Sequence, residues 1–161
     1  MKHHPSNGVT TLFKRNIAIL LLLTASSAFA SEKFLNNLNK DGVALDGHDP
    51  VAFFTQNKPV KGKAEIQSIY RGARYYFASP DNKKLFDAEP AKYEPQFGGY
   101  CAYGVSKGGL YPVELDAFQI VNGRLLLQYN QEARDEFNKD TQGRLKMADG
   151  NWPKLVEKKG R

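Results

Sequence analysis

Twice along this chain a run of β-forming side chains leads into a glycine-containing dipeptide and out again: Ala64–Tyr70 and Ala73–Ala78 flank Arg71-Gly72, and Ala117–Val121 and Arg124–Gln128 flank Asn122-Gly123. A tight polar-Gly pair between two such runs predicts a β-hairpin, and Asn-Gly favours the positive φ angles of a type I′ turn. After the first hairpin, Ser79-Pro80 offers an N-cap followed by a proline in the first turn, where its missing N–H would be unpaired anyway. Leu85, Phe86 and Ala88 supply a core face, Glu89-Pro90 ends the segment, and Pro90–Tyr93 restarts as a short turn. After the second hairpin, Ala133 and Phe137 form an i, i+4 pair on a helix over Asn130–Asn138. Asp140–Gly143 breaks it, and a further turn reaches Met147. Upstream, residues 31–41 are a polar lead-in, Asn-rich over Ser31–Lys40 and compatible with a short helix. Gly42–Leu45 reads as a strand, Asp46–Pro50 as a turn and Val51–Phe54 as one helical turn. Trp152-Pro153 closes a domain spanning 42–155, and 156–161 is a charged tail. No repeat, low-complexity run or linker is evident. The fold class is α+β: a small single domain with antiparallel β-hairpins packed against short helices.

The first residues decide the compartment. Lys2, Lys14 and Arg15 precede an unbroken apolar stretch, Ile17–Leu23, and Ala28-Phe29-Ala30 provides a small-x-small cleavage pattern, so 1–30 reads as a cleaved signal peptide with the cut after Ala30. The apolar run from Ile17 to Ala30 falls short of the roughly 20 residues a membrane span needs, so no stable membrane anchor is expected. No cysteine follows the run to carry lipid. The protein is expected to be periplasmic or secreted. Cleavage removes three basic residues and lowers the formal net charge from +6 to +3. The remaining Lys, Asp and Glu alternate without a basic block, which excludes nucleic acid as a partner. A single cysteine cannot form an internal disulfide, so a core must hold the domain together.

Tyr70–Tyr93, "YRGARYYFASPDNKKLFDAEPAKY", resembles the YHS domain family in its Tyr-x-Gly hairpin, its Tyr-x-Phe-x-Ser passage into a Phe-bearing helix and its Pro-x-x-Tyr. "GHDPVAFF" is similar to the family's Asp-Pro-Val opening. "GGYCAYGVSKG" and "ADGNWPKL" resemble its exported, single-domain bacterial branch. The resemblance implies transition-metal binding, often through cysteines beside Asp-Pro-Val and at the start of the helix after the hairpin. This chain has Ala52, Ala78 and Asn82 there, so a thiolate-rich site of the usual kind cannot form. The remaining candidate metal ligands are Cys101, His48 and Asp49, a soft, a borderline and a hard donor, which together suit a copper ion better than Mg or Ca.

Each candidate has a structural alternative. Free cysteine is among the most buried residue types, so Cys101 can be a packed side chain. Asp49 can cap the helix after Pro50, with His48 shielding the core. Gly98-Gly99 lacks the longer glycine pattern and the Lys-Ser/Thr of a phosphate cradle and reads as a tight turn. Glu132, Asp135 and Glu136 read as a solvated face. No catalytic residues are assigned: the Cys and His fit no hydrolase signature, and no second cysteine is present for disulfide exchange. Three functions follow: a periplasmic copper-binding domain; a non-catalytic interaction or small-molecule-binding module with a buried cysteine, docking a partner on the aromatic hairpin at Tyr70, Tyr75 and Tyr76; and a redox-sensing thiol at Cys101.

Overall fold

The computed structural model describes Met1 and residues 32–161, so the expected signal peptide lies outside the described residues apart from its first residue. Among the described residues no helix is long and apolar enough to cross a membrane. The elements run α1 (Pro50–Thr55), β1 (Lys63–Tyr70), β2 (Ala73–Phe77), α2 (Pro80–Ala88), α3 (Pro90–Tyr93), α4 (Ala102–Ser106), β3 (Glu114–Val121), β4 (Arg124–Gln128), α5 (Gln131–Asn138) and α6 (Thr141–Lys159). Strands β1 and β2 form one two-stranded antiparallel sheet and β3 and β4 another. The α+β class and both hairpins therefore stand as read from the sequence.

Three local expectations are corrected. Gly42–Leu45 is not a strand: Val43 and Ala44 make only isolated bridges to Arg74 and Leu38, because Leu45, Asp46 and Gly47 then turn the chain left-handed at φ 54°, 46° and 75°. The lead-in is not helical. It lies extended and is pinned at both ends, by Asn37 N–H donating to the Gly98 carbonyl at 2.8 Å and by reciprocal 2.9 Å backbone bonds between Phe34 and Arg161. The break at Asp140–Gly143 followed by a single turn to Met147 is replaced by a long helix, since α6 begins at Thr141 under an Asp140 cap and runs through Gly150 and Pro153 to Lys159. Leu145 and Ala148 are buried, and Trp152 and Leu155 pack on the same cluster. Tertiary burial of that face outweighs the intrinsic cost of Gly and Pro in a helix.

A repeat that most side chains conceal emerges in the backbone. Each half consists of a left-handed turn, a short capped helix, an eight-residue strand, a two-residue turn, a five-residue strand, a capped helix and a further helix. Positive φ angles recur 51 or 52 residues apart: Leu45, Asp46 and Gly47 with Phe97, Gly98 and Gly99; Asn57 with Gly108; Arg71 and Gly72 with Asn122 and Gly123. Gly42 alone among the described residues with positive φ lacks a counterpart. The isolated parallel bridges Val43↔Arg74 and Pro95↔Leu125 match in the same register. So do the caps Ser79 and Asn130, the buried Phe86 and Phe137, and the helix breaks at Glu89 (φ −140°, ψ 61°) and Asp140 (φ −150°, ψ 70°). The expectation of a chain without a repeat is thereby overturned. Positive φ costs non-glycine residues energy, so shared left-handed positions mark shared geometry even where the side chains differ.

The two halves share β4. Leu125 and Leu127 face the first core, with Val51, Phe53, Tyr75, Phe77 and Phe86, whereas Leu126 faces the second, with Phe97, Val105 and Phe137. Alternate side chains on a strand point to opposite faces, so an unbroken Leu-Leu-Leu run is what a strand between two cores requires. The first core also absorbs the hairpin aromatics. Tyr75 and Phe77 stand 4.8 Å and 5.2 Å from the Phe86 ring, and Tyr75 is buried, so of the expected docking face at Tyr70, Tyr75 and Tyr76 only Tyr70 and Tyr76 keep part of their surface exposed.

Candidate functional site

The repeat aligns two of the expected ligands with each other. Asp49 and Cys101 are both fully buried, both follow a left-handed turn, and both cap a short helix. Asp49 Oδ1 accepts from Val51 N–H at 2.8 Å, and its Oδ2 accepts from Ala78 N–H at 2.8 Å and from Asn82 Nδ2 at 2.7 Å. The carboxylate thus ties α1 to the β2–α2 junction. Cys101 Sγ accepts from Gly104 N–H at 3.4 Å and donates to Gln128 Oε1 at 3.4 Å, and the same oxygen accepts from Tyr103 N–H at 3.0 Å. In the first half the cap supplies the long-reaching acceptor; in the second the strand end supplies it and the cap answers with a thiol. This is a local structural reason for one cysteine at this position: it caps α4 and satisfies a buried amide oxygen. Gln128 Nε2, by contrast, is buried without a partner, a desolvation cost of about 1–3 kcal/mol.

The halves differ most beside these caps. Asn82 on α2 reaches back to Asp49 and fills the space between helix and cap. The α5 residue in the same register is Ala133, too short to reach, and there a groove of about 670 Å³ opens over Cys101. Tyr103, Tyr111 and Tyr129 line it, with Lys107, Glu132 and Glu136. Tyr111 and Tyr129 are each about half exposed. Their seating depends on two glycines: a Cβ on Gly104 would lie 2.3 Å from the Tyr111 ring, and one on Gly109 would lie 2.6 Å from it. Cys101 N–H donates to the Tyr111 carbonyl at 3.1 Å, fixing this segment against the cap. Tyr103 already carries two cations over its ring, Lys107 at 4.9 Å and Arg144 at 5.0 Å. Glu132 and Glu136, read from the sequence as solvated, face the groove, and Glu136 is paired with Lys139. Nothing in the sequence distinguished this end of α5. The only available signal was Ala133 at the register position of Asn82, which requires the repeat to be recognised first.

Cys101, His48 and Asp49 are not brought together. Among the described residues no group of three or more His, Cys, Asp or Glu side chains is placed to hold a metal ion. His48 Nδ1 donates to the Leu45 carbonyl at 3.0 Å, leaving Nε2 as its one free lone pair. Asp49 spends its oxygens on three N–H donors, and Cys101 offers a single sulfur whose proton is already shared with Gln128. Copper or zinc needs several donors converging at roughly 2 Å, a set these residues do not supply within this chain.

In comparison with known proteins, the YHS domain family matches residues 51–96, which lie within the first half of the repeat. No curated protein and no solved structure matches the chain.

Proposed function

We propose that this chain, which carries a YHS domain at residues 51–96, is an exported, non-catalytic binding module that takes a small ligand in the groove over Cys101. The observation that carries this reading is the pair Asn82 and Ala133: one half of the repeat plugs the space beside its cap, and the other leaves it open. The groove's volume falls within the roughly 300–1,000 Å³ of small-molecule sites, and it has the mix of aromatic walls and few polar groups that such sites use. Export is supported by Lys2, Lys14 and Arg15, the apolar run and the Ala28-Phe29-Ala30 pattern, which direct the module to the periplasm or beyond. The reading as a non-catalytic module is supported by the groove lining, where the Cys101 thiol has no histidine beside it.

The test is Ala133→Asn, which rebuilds the first half's plug. A fragment screen by ¹H–¹⁵N correlation spectra should give shifts at Tyr103, Tyr111 and Tyr129 in the unaltered protein, and Ala133→Asn should lose them while melting as one cooperative unit. Ligands that bind Ala133→Asn equally well, or bind only elsewhere, overturn the proposal.

Copper is the second reading, favoured by Cys101, a soft donor, among the residues that line the groove. Within this chain the donor set does not fit it, so a ligand or partner would have to bring the remaining donors. Anaerobic Cu(I) titration against a chelator decides between the readings: one-to-one competition lost in Cys101→Ala would make the metal the occupant. Failure of both proteins to compete leaves the groove to an organic ligand.

A further inference from the structure

We infer that the ligand of this groove is a compact organic cation of the alkylammonium type; the inference rests on the binding-module reading and names its ligand class. Cations of the chain itself already use the tyrosine at one end of the groove, since Lys107 and Arg144 both sit over the Tyr103 ring. The other two lining tyrosines, Tyr111 and Tyr129, carry no cation and stack on no aromatic ring among the described residues, and each leaves about half its surface to solvent. The Tyr111 ring is held against Gly104 and Gly109, so one side is fixed by backbone and its orientation does not have to be ordered on binding. In the first turn of α5, lining the same groove, stands Glu132, a carboxylate with no ion-pair partner among the described residues. Its neighbour one turn on, Glu136, is neutralised by Lys139. In a chain of net positive charge, two uncovered tyrosine faces and an unpaired carboxylate lining one groove are complementary to a cation. An ammonium group gains from the negative face of each ring and from the carboxylate, whereas an anion would meet Glu132 with Lys107 already engaged over Tyr103.

Choline and its uncharged isostere 3,3-dimethyl-1-butanol, titrated into the full mature chain at low ionic strength and followed by ¹H–¹⁵N spectra, test this. The two probes have the same shape and differ in charge. Choline should shift Tyr111, Tyr129 and Glu132 and bind at least about fivefold more tightly than the isostere, a ratio drawn from the usual strength of cation–π contacts. Glu132→Gln should weaken choline by about two- to fivefold and leave the isostere unchanged, and added salt should do the same. Equal affinity for the two probes, or indifference to Glu132→Gln, overturns the cation while leaving the binding module standing. Choline shifts confined to residues outside the groove, or no choline shifts at all, overturn the cation too. If in addition neither the isostere nor any fragment of the screen shifts the groove, the binding-module reading falls with it.

Discussion

Replacing Asp49 by Asn changes one atom of a buried side chain and asks what holds α1 to α2. Asp49 has no exposed surface and no cation partner; its negative charge is stabilised by the N–H groups of Val51, Ala78 and Asn82 alone. In Asp49→Asn the carbonyl oxygen can keep the cap to Val51, but the new amide group then faces two donors, Ala78 N–H at 2.8 Å and Asn82 Nδ2 at 2.7 Å. Rotation of the Asn82 amide can recover one of these. The Ala78 N–H cannot turn away and is left unpaired. Each unmade buried bond costs about 1–3 kcal/mol, so the substitution should destabilise by about 1–3 kcal/mol. Asp49→Ala also loses the cap to Val51, worth about another 1 kcal/mol. Urea unfolding of the mature chain reads the difference. With a slope of about 2 kcal/mol per molar urea, the midpoint of Asp49→Asn should fall by about 0.5–1.5 M. Asn82→Ala alone should cost less, and the double variant should show coupling of about 1 kcal/mol, because the two share one bond. If Asp49→Asn instead matches or exceeds the stability of the unaltered protein, desolvation of the lone carboxylate outweighs its hydrogen bonds, and the account of Asp49 as the clamp is wrong.

The other predictions concern the second half and the lead-in contacts. Gly104→Ala should displace the Tyr111 ring, since the new Cβ would lie 2.3 Å from it, and should abolish fragment shifts in the groove at a stability cost of about 1–3 kcal/mol; retained binding would mean the ring is not a fixed wall. The Cys101 thiol, 1% exposed, should resist iodoacetamide in the native protein and react at the rate of global unfolding, so modification within seconds of mixing would restore the redox-sensing reading. Glu94, bonded to Arg71 at 2.8 Å, has its pKa raised because loss of hydration outweighs that ion pair. The native state therefore holds this proton more tightly than the unfolded chain, and Glu94's contribution to stability is lost as pH climbs from about its unperturbed 4.5 through the raised native value. Glu94→Gln should flatten that descent in a pH series of thermal melts; an unchanged slope would assign it to other groups.

Local chemistry determined a good deal of this protein. The turns at Arg71-Gly72 and Asn122-Gly123, the Ser79 cap, the helix bearing Ala133 and Phe137, and the resemblance over Tyr70–Tyr93 were all legible, because each depends on residues close in sequence whose backbone preferences are strong. The role of Asp49 as a cap was legible for the same reason. The tertiary structure decided everything that needed distant residues to meet. It carried α6 through Gly150 and Pro153, because burial of Leu145 and Ala148 is a non-local term that local propensity does not contain. It also placed Cys101 against Gln128, kept His48 and Asp49 from joining it in a ligand cluster, and turned Tyr75 and Phe77 inward onto Phe86. The repeat stayed hidden because it is written in φ angles and caps that Leu45 and Phe97, or Asp49 and Cys101, satisfy with different side chains. The groove follows from that hidden equivalence: a missing side chain at Ala133 becomes an opening only where the fold has set a buried cap opposite it.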